Sequence, residues 1–168
     1  MTQRTRILIA VGILVVLIAA VLGIEVLRRQ RASVPAAGEE VTLAPGSIPI
    51  HVDGELVSGF SPEDLEQLEQ VSFVDDEEGK TQEGWLLSDV LRLHVEERAL
   101  GEDTLIVVSS SSREKSAQLS WAEVEEPANM VMFDLSGRGT LKLVSKLEGF
   151  DTRDDWVQDV DKIEIMNQ

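Results

Sequence analysis

The first pattern along the chain is an unbroken apolar run at 7–24, which contains no charged or polar side chain. At about 1.5 Å per residue, a helix of this length covers roughly 27 Å, close to the thickness of the hydrocarbon core of a bilayer. We therefore predict a transmembrane helix over 7–27, preceded by a short tail at 1–6. A cleaved signal peptide is the alternative, but the charged residues of 25–31 would then separate its apolar core from a cleavage site near Ala36.

Beyond the apolar run, a polar stretch with several prolines and glycines predicts a juxtamembrane linker over 28–46. The remainder, 47–168, has short alternating apolar patterns typical of strands and two or three segments with helical spacing. The predicted strands are centred on Ile48–Val52 with Leu56, Val71–Val74, Thr104–Val108, Ala117 with Leu119, Met130–Leu135, Leu141–Val144 and Val160–Ile165. The predicted helices begin near Ser61, Trp85 and Trp121. Without regular β-α-β alternation, this mixture predicts a single α+β domain.

Charge and composition exclude several classes of function. The chain has 31 acidic and 15 basic side chains, and from Val41 onward it has 28 acidic and 10 basic ones, a net charge of −18. Such a domain lacks the basic face that nucleic acid binding requires, and its acidity is typical of a soluble surface. The chain also has no cysteine, which excludes a thiolate nucleophile, a disulfide framework and any cysteine-ligated metal.

Candidate metal ligands are present, but their spacing is poor. His51 and His94 have no second ligand at metal-binding spacing, so we read both as ordinary partly buried or surface histidines. Two acidic stretches offer the hard oxygen donors that Ca²⁺ prefers, but neither has the pattern of a calcium-binding loop, and we predict no metal site. The weak calcium candidates are Asp75, Asp76, Asp154 and Asp155.

No residue is nominated as catalytic. The chain has neither a G-x-S-x-G nucleophile motif nor a glycine-rich phosphate loop. The serines 109–112, followed by Arg113 and Lys115, could cradle an anion, but serine and charged residues are common in turns, and we predict a solvated hairpin loop instead. The three tryptophans are assigned to packing, although a cleft lined by two of them would make a ligand platform.

Four stretches of the chain, read in order, resemble the molybdopterin-binding domain of the sulfite oxidase family in its small membrane-linked or exported forms. They are Val52–Val57 with the short helix at 61–68, the helix motif Gly84–Leu91, the strand Gly139–Val144, and Trp156-Val157 with Ile163–Ile165. The resemblance implies a mixed-sheet α+β domain with that family's fold.

The chain departs from the family at the residues that hold the metal. The family has a molybdenum-ligating cysteine after the strand that corresponds to Val71–Val74, whereas this chain has four carboxylates at 75–78. A hard carboxylate does not replace a soft sulfur ligand. Lys142 stands where the family has an arginine, and lysine cannot form the same planar bidentate contact. The resemblance therefore implies that catalysis is lost and that no cofactor is expected.

Together these observations predict a single-pass membrane protein with an extracytoplasmic domain, acting as a non-catalytic binding or accessory module in a membrane redox or transport complex. Its predicted partners are the bilayer, through 7–27, and a protein of that complex. Orientation rests on the resemblance, because two arginines precede the span and three follow it. One alternative is a structural subunit held by the span. The other is a molybdopterin-dependent or other cofactor-dependent oxidoreductase without a cysteine ligand, in which Arg113, Arg138 and Lys142 contact the cofactor's phosphate.

Overall fold

The computed structural model describes residues 41–135 and 137–167. The predicted tail at 1–6, the predicted transmembrane helix at 7–27 and most of the predicted linker at 28–46 lie outside the described residues. Among the residues that are described, no helix has the length and apolar character needed to cross a bilayer.

The domain is mostly β, so the predicted α+β class is wrong. Strands hold 37% of the described residues and form two sheets, whereas the two α-helices are short. The strands are β1 Ile48–Val52, β2 Glu55–Phe60, β3 Val71–Val74, β4 Thr81–Leu86, β5 Leu105–Ser110, β6 Lys115–Ser120, β7 Met132–Leu135, β8 Leu141–Val144 and β9 Lys162–Met166. The helices are α1 Leu87–His94 and α2 Trp121–Glu125, with 3₁₀ turns at Pro62–Gln67, Glu97–Ala99 and Pro127–Asn129.

The predicted helix after Ser61 is not an α-helix, and the predicted helix near Trp85 is confirmed but begins later, at Leu87. The segment after Ser61 begins as expected, because the Asp64 carboxylate accepts hydrogen bonds from the Ser61 N–H and hydroxyl, but it is a 3₁₀ turn that ends where Leu68 becomes extended. Trp85, expected on the second helix, lies on β4. This strand was missed because its first three residues, 81–83, are all polar.

The first sheet has the strand order β2-β1-β9-β5-β6, in which β1 and β9 are parallel and the other neighbours are antiparallel. The predicted hairpin between β1 and β2 is confirmed. Asp53 and Gly54 both have positive φ, 51° and 84°, as a two-residue turn of this kind requires.

The second sheet is antiparallel throughout, in the order β3-β4-β7-β8. Its β8 edge is covered, because Leu143 exchanges backbone hydrogen bonds with Val157 and the Val160 N–H donates to the Leu141 carbonyl. Its β3 edge is the other boundary of the sheet. Side chains of both sheets and of α1 belong to one hydrophobic core, so the second sheet is packed against the rest of the described domain.

Candidate functional site

A chain of four polar side chains crosses the second sheet, and we call it the polar network: Asp75, Gln82, Lys142 and Asp134. Asp75 follows β3 and is only 3% exposed. Its carboxylate accepts from the Glu78 backbone N–H at 2.6 Å and from the Gln82 Nε2 at 2.8 Å. The Gln82 Oε1 in turn accepts from the Lys142 Nζ at 2.8 Å, and this Nζ lies 3.0 Å from the Asp134 Oδ2. The network thus joins the loop after β3 to β4, β7 and β8.

Trp156 covers the cation of this network. The Lys142 Nζ lies 5.2 Å from the centroid of the buried Trp156 ring, a cation–π distance. Phe73 packs edge-on against the same ring, with the centroids 6.4 Å apart. The Trp156 Nε1 is buried and has no hydrogen-bond partner among the described residues. Lys142 is therefore held by a carboxylate, an amide oxygen and an aromatic face at once.

The acidic loop beside the network is partly neutralised. The backbone N–H of Glu78 is the main cause that holds the pKa of the Asp75 carboxyl below its ordinary value, against the opposing effect of burial. The pKa of Glu78 is itself lowered, first by a hydrogen bond from Lys80 and then by one from Arg153. Two cations thus stabilise the charged form of this loop.

The residues predicted to contact a cofactor phosphate are placed in two groups. Arg113 lies against the Asp159 carboxylate, with its Nε at 2.6 Å, and the Thr140 hydroxyl donates to the same carboxylate at 2.7 Å. These two hydrogen bonds, Thr140 first, lower the pKa of Asp159, and the charge of Arg138 adds to the effect. Lys142 is paired with Asp134 instead. Each of the three predicted cations is thus under the influence of a carboxylate of its own domain.

The predicted calcium candidates do not form one cluster. Asp75 belongs to the polar network, whereas Asp76 and Asp154 are exposed and Asp155 accepts a hydrogen bond from the Thr152 hydroxyl. Across 41–135 and 137–167, no three or more histidine, aspartate or glutamate side chains are grouped in a way that could hold a metal ion.

The two histidines lie in partly buried positions. The His94 ring stacks on Phe60, with centroids 5.4 Å apart. Burial lowers the pKa of His94, and the charge of Asp64 opposes this shift. His51 lies on β1, and its Nδ1 is buried without a partner in the described part of the chain.

A groove on the second sheet was not predicted as such. It has a volume of about 440 Å³ and is lined by Glu66, Leu68, Gln70, Trp85 and Leu135. Leu135 is 44% exposed although it is large and apolar. The tryptophans were expected to line a common cleft if they formed a ligand platform. Trp85 lines this groove, whereas the Trp156 ring packs against Lys142 and Phe73.

The strand next to this groove, β3, has unpaired backbone groups. The Asp75 N–H donates to the Lys80 carbonyl at 2.9 Å, and hydrogen bonding alternates along an antiparallel pair. The N–H and C=O groups of Ser72 and Val74 therefore point away from β4. No backbone partner for these four groups is found among the residues that the structure describes. The Val74 side chain is 54% exposed.

The sequence matches no model of a known protein family, and no curated protein is significantly similar to it. The resemblance to the sulfite oxidase family stays a prediction.

Proposed function

We propose that the protein is a membrane-anchored, non-catalytic binding or accessory module, which presents its acidic β domain on the extracytoplasmic side as part of a membrane redox or transport complex. The apolar run at 7–24 supports the anchor, and the net charge of −18 from Val41 onward supports a solvated domain.

The observation that carries the non-catalytic role is the engagement of the candidate cations. Lys142 is held between Asp134, Gln82 and the Trp156 ring, and Arg113 is held by Asp159. A cofactor phosphate would have to displace these carboxylates, or else accept their repulsion in a partly buried site. In this arrangement the cations stabilise the domain itself.

Metal analysis of the purified full-length protein tests this role. We expect molybdenum far below one equivalent and no visible absorption band. Stoichiometric molybdenum, or a pterin released on denaturation, would instead establish the oxidoreductase.

Cysteine labelling tests the orientation with no background, because the chain has no cysteine of its own. We would compare Glu102→Cys, an exposed position in the domain, with Gln3→Cys, at the other end of the predicted span. A membrane-impermeant maleimide should label the first variant in intact cells and the second only after lysis. The reverse result would place the domain in the cytoplasm.

Native electrophoresis in mild detergent tests the accessory role. The protein should migrate from its native membrane within a complex that contains at least one other protein in fixed ratio. Migration as a lone monomer would overturn the proposed function.

A further inference from the structure

We propose that the edge of β3 and the adjoining groove form a docking site for a basic, extended segment of a partner protein, which adds to the second sheet as a further strand. The inference rests on the proposed function, since it names the surface through which the module binds.

Backbone groups are the first support. Ser72 and Val74 direct two N–H and two C=O groups away from β4, as an incoming strand requires. The opposite edge of the same sheet is closed by hydrogen bonds from Val157 and Val160. Proteins usually cover or disrupt a free edge because it pairs readily with another chain. Among residues 41–135 and 137–167, one edge of this sheet is covered and the β3 edge has no partner strand.

Exposed apolar side chains are the second support. In the described part of the chain, the exposed large apolar side chains are those of Val74, at 54% exposure, and Leu135, at 44%. The strand register places both on the same face of the sheet as Trp85. Opposite residues of paired strands share a face, and so do residues two apart along one strand. Val74 is opposite Thr81, which is four residues before Trp85 on β4, and Trp85 is opposite Phe133, which is two residues before Leu135 on β7. Alternate side chains of an added strand would project on this face toward the groove, whose lining includes the apolar Leu68, Trp85 and Leu135.

The negative charge around the β3 edge indicates that the added strand is basic. Four exposed carboxylates surround the edge without an ion-pair partner among the described residues: Glu66, Glu69, Asp76 and Glu83. Glu83 lies directly opposite Ser72, on the face that bears the groove. Lysine or arginine on the added strand would neutralise these groups. A second copy of this chain would bring its own carboxylates against them, which disfavours pairing between copies.

The test measures binding of short synthetic peptides to the full-length protein in mild detergent, by fluorescence anisotropy. The first peptide alternates lysine and valine. The second has the same sequence with N-methyl groups on alternate backbone nitrogens, and the third has glutamate for lysine. We expect the first to bind, the second to bind about tenfold more weakly because it loses backbone hydrogen bonds, and the third not to bind.

Three protein variants localise the site. Glu83→Lys should weaken binding of the lysine peptide severalfold, whereas the matched Glu102→Lys, with the same charge change in the exposed turn that leads into the first sheet, should not. Ser72→Pro removes one outward N–H without removing a hydrogen bond to β4 and should also weaken binding. The N-methylated peptide needs no variant, so the test does not depend on how Ser72→Pro folds.

Several results would overturn the docking site. They are absence of binding, equal affinity for the first two peptides, equal effects of the two charge reversals, and a dimer of the protein itself that Ser72→Pro abolishes. In native membranes, retention of the wild-type complex by both Glu83→Lys and Ser72→Pro would refute the site while leaving the proposed function intact. A wild-type protein without any partner would refute the proposed function.

Discussion

Replacing Lys142 by methionine removes the cation from the polar network while keeping an unbranched apolar side chain of similar length. Asp134 loses the ion pair at 3.0 Å, Gln82 loses the hydrogen bond at 2.8 Å, and Trp156 loses its cation–π contact. The side chains of Lys142 and Asp134 are 15% and 16% exposed, so neither is freely solvated. The substitution therefore leaves a poorly solvated carboxylate without a counter-charge.

Removing one partner of a buried ion pair costs about 3–5 kcal/mol. Because the two side chains keep some contact with water, we expect the lower end, about 3 kcal/mol of lost stability. Replacing the pair together, Lys142→Met with Asp134→Leu, removes the stranded charge and should restore about 2 kcal/mol of that loss. Lys146→Met, an exposed lysine on the same segment, should change stability by less than about 0.5 kcal/mol.

Urea unfolding followed by tryptophan fluorescence measures these differences in the full-length protein. All three tryptophans of the chain are buried in the described domain, at 4%, 5% and 2% exposure, so the signal reports on that domain alone. If Lys142→Met is no more destabilising than Lys146→Met, the ion pair does not stabilise the domain as expected. If the double variant is as unstable as the single one, the loss of stability does not come from the unpaired carboxylate of Asp134.

Three further predictions concern stability. Gly84→Ala places a Cβ 1.7 Å from the Phe133 carbonyl oxygen and should cost about 3 kcal/mol or more in urea unfolding, whereas Gly137→Ala, with nothing within 4 Å, should be nearly neutral. Hydrogen bonds lower the pKa of Asp75 in the folded state, so the charged carboxylate stabilises the fold above about pH 4 and this stability is lost as the pH falls through the lowered pKa. In Asp75→Asn, the urea midpoint of unfolding should therefore decrease less steeply below about pH 4 than in the wild type. Burial lowers the pKa of His94, so the unfolded chain takes up a proton first and stability should begin to fall as the pH drops below about 6.5, a decline that His94→Gln should remove.

Strands were predicted correctly where apolar residues alternate along the sequence. They were missed where the buried side chain of a strand is polar. The β1-β2 hairpin and the terminal strand were found from alternating isoleucines and valines, and the Asp53-Gly54 turn supplied the hairpin geometry. In contrast, Gln82 is buried on β4 because it joins the polar network, and no local pattern reveals a partner 60 residues away. Assigning Trp85 to the following helix came from that omission, since the helix itself begins at Leu87.

The candidate site was predicted residue by residue but not as an arrangement. Asp75 and Lys142 were nominated for different roles, one as a calcium ligand and the other as a phosphate contact, yet the fold joins them through Gln82. Each of the two side chains is already bonded within the network, so neither is free to bind an added ion in the role for which it was nominated. Leu135 looked like an ordinary strand residue, and only the register of the second sheet shows that it lies beside the groove.

The shortness of β3 sets the strength expected of the proposed docking site. Two outward residues offer four backbone hydrogen bonds, each with a net contribution of about 1 kcal/mol, before the cost of ordering the peptide is subtracted. These bonds sum to about 4 kcal/mol, which corresponds to a dissociation constant of about 1 mM, so a free peptide should bind no more tightly than about millimolar. Modules joined by short flexible linkers meet at an effective concentration of the order of millimolar, so an affinity of this size suits a partner held within the same complex. The proposed docking site therefore requires a partner that is held close to the domain, because a freely diffusing partner at lower concentration would leave the edge largely unoccupied.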